Sequence, residues 1–299
     1  MRHSRKDRTL SILLVLPSVI AMFIFIYGFI GFTAYSSLSN WHKLKPDFTF
    51  VGLDNYTRLF KSQRFIIDMQ NTFTFTLLFL VVTIVLGFLL AVVLDQNIKG
   101  ESIFRNIFLF PMALSYIVTG VVWRWLLAPG TILTGPSGIN ILFDKFGLGF
   151  LKSGWYTDPE IGIKAVVIAA TWQMAGYIMA LYLAGMRAIP EEMREAARVD
   201  GATATQVYRF IVIPLLRPIT LSAVIILGHI SLKIFDLIVS MTGPGTGFST
   251  DVPALFMFDT TFRGNRFAQG SAIAMVLLLL VALLVVPYLV SSYREEVQR

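Results

Sequence analysis

The sequence predicts an all-α polytopic membrane protein: six transmembrane helices, with a short charged helical element between spans four and five. Three observations carry that expectation. Of 299 residues, 56% are hydrophobic and 14% charged, with a mean hydropathy of +0.71, whereas soluble domains carry about a quarter charged residues. Six apolar runs recur along the chain, each long enough to cross a hydrocarbon core of about 30 Å as a helix. Between the fourth and fifth runs lies "EEMREAARVDGATATQVYRFIVIPLLRP", residues 191–218, where charge and capping signals return together.

The runs are Leu10–Leu38, Thr72–Leu94, Ile107–Leu127, Ile161–Met186, Ile219–Met241 and Ser271–Tyr293. "MRHSRKDR" before the first has the look of a signal-peptide head. The apolar stretch outlasts the roughly 7–15 residues of such a segment and no small-residue cleavage site follows, so it reads as a permanent anchor. Basic residues favour the cytoplasmic side of a bilayer. With residues 1–9 as a cytoplasmic N-terminus, thirteen lysines and arginines fall inside, among them Arg2, Arg105, Arg194 and Arg299, against ten in the much longer outer loops. An even number of spans then leaves both termini cytoplasmic, and residues 10–299 form a single transmembrane domain. The formal charge of +7 is therefore assigned to topology and not to nucleic acid, and the lack of cysteine excludes disulfides and thiolate metal sites.

The outer loops are rich in Gly, Pro, Asn and Asp, as turns are, and Trp123, Trp125, Trp155 and Tyr156 suit the headgroup level. "GPGTGFST", 243–250, lacks the lysine of a phosphate-binding loop and reads as a turn. His3, His42 and His229 stand in unrelated segments without ligand spacing, so no metal site is expected. No catalytic cluster is expected either.

Within 191–218, Pro190 suits the first turn of a helix, and Glu191 and Glu192 favour its positive end. Met193, Ala196 and Ala197 share a narrow face, flanked by Glu192, Arg194, Glu195 and Arg198. Asp200 and Gly201 supply a stop, the glycine taking left-handed backbone. Thr203 and Gln206 have capping-box spacing, which starts a second helix. Pro214 and Pro218 bend the chain toward span five.

Glu195-Ala196-Ala197, then Gly201, then Ile211-Val212-Ile213-Pro214 resembles the EAA loop of the permease subunits of ABC importers, with Ile213 where that pattern has leucine. "FVGLDNY", "RNIFLFPMALS", "FDLIVSMTGPG" and "ALFMFDTTFRGNRFAQGSAIA" resemble further segments of the sugar-importing, maltose-type members, and together these cover most of the chain. The glycine-rich run after span five is shortened here to Gly243-Pro244-Gly245. The resemblance implies that residues of about 188–218 form a cytoplasmic coupling helix seated in an ATPase, with Glu195, Ala196, Ala197 and Gly201 as the docking core. It also implies the partners: a second homologous permease, an ABC ATPase dimer that binds ATP and magnesium, an extracytoplasmic solute-binding protein, a mono- or disaccharide and the lipid of a bacterial or archaeal inner membrane. No cofactor is expected in this chain.

Polar groups within spans face a bundle interior or a water-filled path. Trp172, Gln173 and Tyr177 in span four, and His229, Ser231, Lys233 and Asp236 in span five, are the candidates for a sugar path. Hydroxyls need hydrogen-bonding partners and a sugar ring needs a flat apolar surface. His229, Lys233 and Asp236 fall on one face if span five is a continuous helix, and Lys233 with Asp236 also suits an internal ion pair. A cationic path also suits glycerol phosphate, the alternative cargo. An ATP-independent secondary transporter ranks lower because no internal repeat is visible, and a membrane enzyme lower still.

Overall fold

The structure is a computed structural model that describes residues 5–96, 98–131 and 135–297. Residues 1–4 of the expected N-terminal tail, with Arg2, and Arg299 at the other end lie outside the described residues. Helix α1 (Arg5–Met22) passes through a π-helical turn, Phe23–Gly28, into α2 (Phe29–Ser37), and α3 (Asp54–Lys61) leads to the long α4 (Gln63–Leu94). Helix α5 (Glu101–Leu109) and a 3-10 turn, Phe110–Ala113, precede α6 (Tyr116–Leu126). A minimal antiparallel ribbon, β1 (Gly130–Thr131) with β2 (Gly135–Pro136), and α7 (Ile139–Lys145) lead to α8 (Gly162–Arg187). Helices α9 (Glu191–Val199) and α10 (Ala204–Val207) follow, then a π-turn, Tyr208–Val212, α11 (Ile213–Leu215), α12 (Arg217–Leu232) and α13 (Asp236–Met241). The chain closes with α14 (Pro253–Phe258) and α15 (Phe267–Val297).

Among the described residues, four helices are long and apolar enough to cross a membrane, or up to six if each of two bent pairs counts as one span. The first, second, fourth and sixth apolar runs are continuous helices, though α4 begins at Gln63, nine residues ahead of the expected Thr72. The third and fifth are not. The expected helix over Ile107–Leu127 turns through 100° between Ala113 and Tyr116, and the fifth run breaks between Leu232 and Asp236; a 63° bend lies ahead of that run, before Arg217, where Pro214 and Pro218 were expected to turn the chain. Helix α6 alone, about 16 Å long at 1.5 Å per residue, is too short for a full crossing.

The chain divides into two compact units, Met1–Ser62 with Phe256–Leu278 and Gln63–Leu255 with Leu279–Arg299. In the first unit, α1 and α2 present apolar side chains outward, Leu14 at 72%, Phe23 at 68% and Phe29 at 62% exposure. Apolar surface on that scale needs lipid or a partner rather than water. Beyond α2 the chain is tied down by side chains. The Asn55 amide donates to the carbonyls of Ser37 and Ser39 at 2.9 and 2.8 Å. Trp41 stacks on Phe267 with ring centroids 4.6 Å apart, and the Ala268 N–H donates to the Trp41 carbonyl at 2.8 Å.

In the second unit α8 is central: 72% of its apolar window is buried, against 28% for α4. Its composition explains why. Small residues such as Ala165, Ala169, Ala170 and Gly176 let neighbouring backbones approach, which is how helices associate where no hydrophobic force separates protein from solvent. On α4, a Cβ at Gly87 would lie 2.7 Å from Ile178 Cγ2, and Thr83 donates to Thr171 at 3.2 Å. Helices α6 and α13 pack just as closely through Gly120, whose Cβ would overlap Ser240. The "GPGTGFST" segment is a turn, as expected, with Gly243, Gly245, Gly247 and Phe248 all at positive φ. The Arg64–Asp251 ion pair at 2.6 Å and two Asn71 amide bonds, to the Phe248 and Asp251 carbonyls, pin that turn to the start of α4.

Candidate functional site

The charged element between the fourth and fifth runs folds as its local signals require. Pro190 takes the N-cap rather than the first turn, and α9 runs from Glu191 with both acidic residues at its positive end. Gly201 adopts φ +84°, the left-handed stop. Thr203 and Gln206 form the capping box in both directions, Thr203 N–H to Gln206 Oε1 at 2.7 Å and Gln206 N–H to Thr203 Oγ1 at 3.4 Å.

What the sequence did not reveal is how the element is fastened. Arg194, expected only to flank the narrow face of Met193, Ala196 and Ala197, points inward. Its Nη1 donates to Asp95 Oδ2 at 2.7 Å and its Nη2 to the Met186 carbonyl at 2.8 Å, the side chains of Arg194 and Asp95 being 10% and 6% exposed. The Tyr208 hydroxyl, from the turn after α10, donates to the same Asp95 oxygen at 3.2 Å. One carboxylate at the end of α4 thereby gathers α9 and the α10 segment, while the same guanidinium grips the last turn of α8. Nearby, Arg187 of α8 pairs with Glu101 of α5 at 2.7 Å. The available signal was an acid placed one residue past an apolar run, which has no helical partner of its own and must find one at a distance.

With Arg194 inside, the opposite face of α9 is free. Glu195 and Ala196 are exposed, Ala197 is half-buried and Gly201 is exposed. Met193 at 44% and Val199 at 88% exposure add apolar surface that the sequence reading had not counted toward docking. The result is a short helix held on its inner side, with an exposed face of small and apolar residues.

The residues expected to line a path fall into separate settings. On α8, Gln173 is buried and its Nε2 donates to the Leu114 carbonyl at 2.8 Å, inside the 100° bend, while its Oε1 is buried without a protein partner. Trp172 meets Trp123 of α6 edge-on at 5.9 Å, and Tyr177 is half-buried. On α12, Ser231 is buried, donating to the Gly228 carbonyl and accepting from Thr76 of α4 at 2.9 Å, and His229 is half-buried. Lys233 and Asp236 are exposed and do not share a helix: Lys233 caps α12 and Asp236 opens α13. The expected single face of His229, Lys233 and Asp236 is therefore broken, and Lys233 and Asp236 form no ion pair with each other. Non-helical backbone at membrane depth persists only where protein or a watery cavity covers it.

The same bend exposes a polar stripe that sequence reasoning passed over. Tyr116, Thr119 and Trp123 follow one face of α6 at i, i+3, i+7 spacing, and the Tyr116 hydroxyl, Thr119 Oγ1 and Trp123 Nε1 are all buried without a partner. Ser115 starts that helix by accepting from the Val118 N–H at 3.3 Å. Gln173 is the strut of this region, since it supplies the donor that the broken helix leaves missing at Leu114. Gln173→Ala is expected to lower stability by about 1–3 kcal/mol, the cost of stranding a buried acceptor; Gln173→Glu, which lacks the donor, should behave no better. Thermal unfolding of the detergent-solubilised protein checks this.

Long apolar helices, two bent helix pairs and a short charged helix fastened from within define a class. Residues 83–294 match the family model described as binding-protein-dependent transport system inner membrane component, and the chain belongs to that family. It is 44% identical over 297 residues, 99% of each chain, to a probable ABC transporter permease protein of Pyrococcus horikoshii. It is 34% identical to the xylose/arabinose import permease protein XacH of Haloferax volcanii, covering 92% of this chain and 86% of that one. Its fold is that of a bacterial ABC transporter involved in the import of the acidic polysaccharide alginate, with a TM-score of 0.81 over 97% of this chain and 96% of that one at 23% identity. The family read from the EAA segment is thus the family the chain belongs to.

Proposed function

We propose that this chain is one of two permease subunits in an ATP-driven importer of a mono- or disaccharide, forming half of a path that opens alternately to either side of an inner membrane. The observation that carries the reading is α9: its outer face is open while its inner face is bolted to α4 and α8 through Arg194. Each bent pair counts as one crossing in this reading, which gives six, with both termini and α9 cytoplasmic. Glu195, Ala196, Ala197 and Gly201 then seat in a subunit of an ABC ATPase dimer, where ATP and magnesium are bound, and the outer loops receive a solute-binding protein. The relative named for xylose and arabinose import supports a sugar as cargo. Gln173, Tyr177, Trp172, His229 and Ser231 are the proposed contacts along the path, with Lys233 and Asp236 at the break where backbone groups are open.

Reconstitution tests this. Proteoliposomes holding both permeases and the ATPase should accumulate a labelled sugar, from a panel of xylose, arabinose, maltose and glycerol phosphate, only with ATP inside and binding protein outside. Uptake by this chain alone on an ion gradient would overturn the reading. Gly201→Trp provides a second check. No atom lies within 4 Å of the position of a Cβ there, but φ is +84°, so the substitution carries about 1–2 kcal/mol of backbone strain and puts a large ring on the docking face. The expected outcome is normal abundance in the membrane with uptake uncoupled from ATP hydrolysis; Gly201→Asn, which tolerates left-handed backbone, should retain more transport.

A further inference from the structure

The first unit holds a cavity, walled by polar and basic residues, that neither the coupling helix nor the path uses. Its volume is about 430 Å³ and it is lined by His42, Asn55, Arg58, Arg266 and Gln269. Two guanidiniums, an imidazole and two amides form its wall, and no carboxylate does. Arg58 has a partner on its flank, Asp54 at 2.6 Å, but both side chains are substantially exposed. Arg266 joins no ion pair among the described residues.

The wall is held in place. Asn55 is 2% exposed and spends its amide N–H groups on the Ser37 and Ser39 carbonyls. The Arg266 N–H donates to the Thr260 carbonyl at 2.9 Å, immediately before α15. Gln269 lies in the first turn of that helix. Burial pushes the His42 imidazole below its usual value, and the Arg58 and Arg266 charges push it further, against smaller opposite effects of Asn55 and Asp54. Two guanidiniums in a wall without a carboxylate have a plain counterpart, an anion. Planar guanidiniums pair with a carboxylate in bidentate fashion, and neutral sugar hydroxyls do not need them.

We propose that this cavity is a carboxylate socket, and that its occupant is an acidic side chain of the solute-binding protein that delivers the cargo. The proposal rests on the reading of the chain as an importer permease with the segments after α2 and before α15 outside. It gives the binding protein an electrostatic anchor whose strength falls with salt.

Binding of the solute-binding protein to the assembled importer in lipid nanodiscs tests it. Arg266→Glu should weaken binding by about tenfold or more, and Arg266→Gln by several-fold, as loss or reversal of a paired charge does. Lysine for an acidic residue on the binding protein should restore affinity to Arg266→Glu. The carboxylate offsets the arginine charges, so His42 gains proton affinity in the complex. Binding should therefore strengthen as pH falls from about 8 to about 5.5, and His42→Gln should flatten that slope. The other charges that act on the ring are the carboxylates of Asp54 on α3 and Asp47. Unchanged affinity and ATPase stimulation with Arg266→Glu would overturn the socket while leaving the importer reading intact, because the wild-type complex reports that reading by itself. An effect of Arg266→Glu seen only in membranes containing phosphatidylglycerol, and absent in phosphatidylcholine, would assign the cavity to a lipid headgroup and equally overturn the proposal.

Discussion

An importer carrying Arg194→Ala is expected to lose nine-tenths or more of its ATP-driven uptake, by the roughly 3–5 kcal/mol that removing one partner of a buried ion pair costs. The guanidinium satisfies two acceptors on different helices, Asp95 at 2.7 Å and the Met186 carbonyl at 2.8 Å. Deleting it strands a carboxylate that is 6% exposed with only the Tyr208 hydroxyl, at 3.2 Å, for company. Helix α9 is a nine-residue segment, too short to persist in water without tertiary contacts, so its position depends on that bolt. Lysine should rescue only partly, because one ammonium cannot span both acceptors in the guanidinium's planar geometry. The decisive comparison adds Asp95→Leu to Arg194→Met. Removing both charges should recover much of the lost thermal stability, as replacing whole buried pairs often does. Uptake should stay low, because the link from α9 to α4 is then apolar and slack. Recovery of transport along with stability would reduce the pair to a packing role. The readouts are unfolding temperature of the complex, uptake, and ATP hydrolysis measured in parallel.

Gly176→Leu should prevent the chain from accumulating in the membrane as a folded protein. A Cβ on Gly176 would overlap the Phe108 carbonyl. That obstacle is main chain, so no rotamer change removes it and α5 must slide off α8. Overpacking of this kind costs about 1–3 kcal/mol and often more, and here it falls beside the 100° bend that Gln173 braces. Gly185→Ala is the control. Its Cβ would press on the Ile219 and Leu216 side-chain ends, which can turn aside, so the loss should be small. Abundance in membranes and the fraction recovered monodisperse in detergent measure the contrast. Equal behaviour of the two variants would show that α5 does not depend on close approach at Gly176.

Where the sequence signals were local, they were legible. The capping box at Thr203 and Gln206 and the left-handed stop at Gly201 concern atoms a few residues apart, and the propensities that set them act over the same span. The ends of α8 were legible to within a residue, because a bilayer penalises any departure from helix over about 20 residues. Arg194 was misplaced for the complementary reason. Helical periodicity marked it as flanking an alanine face, and its partner, Asp95, lies 99 residues away in the chain.

By itself, then, the sequence determined that this chain lives in a membrane, which runs are apolar, where the charged element sits, where its first helix stops and its second starts, and which family it belongs to. Only the tertiary structure decided that two of the apolar runs bend or break, that Lys233 and Asp236 part company, and that α9 is bolted from within. Hydropathy measures the cost of meeting water, and that cost is the same for a straight helix and a bent one. The direction of the backbone within an apolar run is set instead by which distant group satisfies the N–H and C=O groups that a bend releases. At Leu114 that group is the Gln173 amide, 59 residues along the chain, and only folding brings the two together.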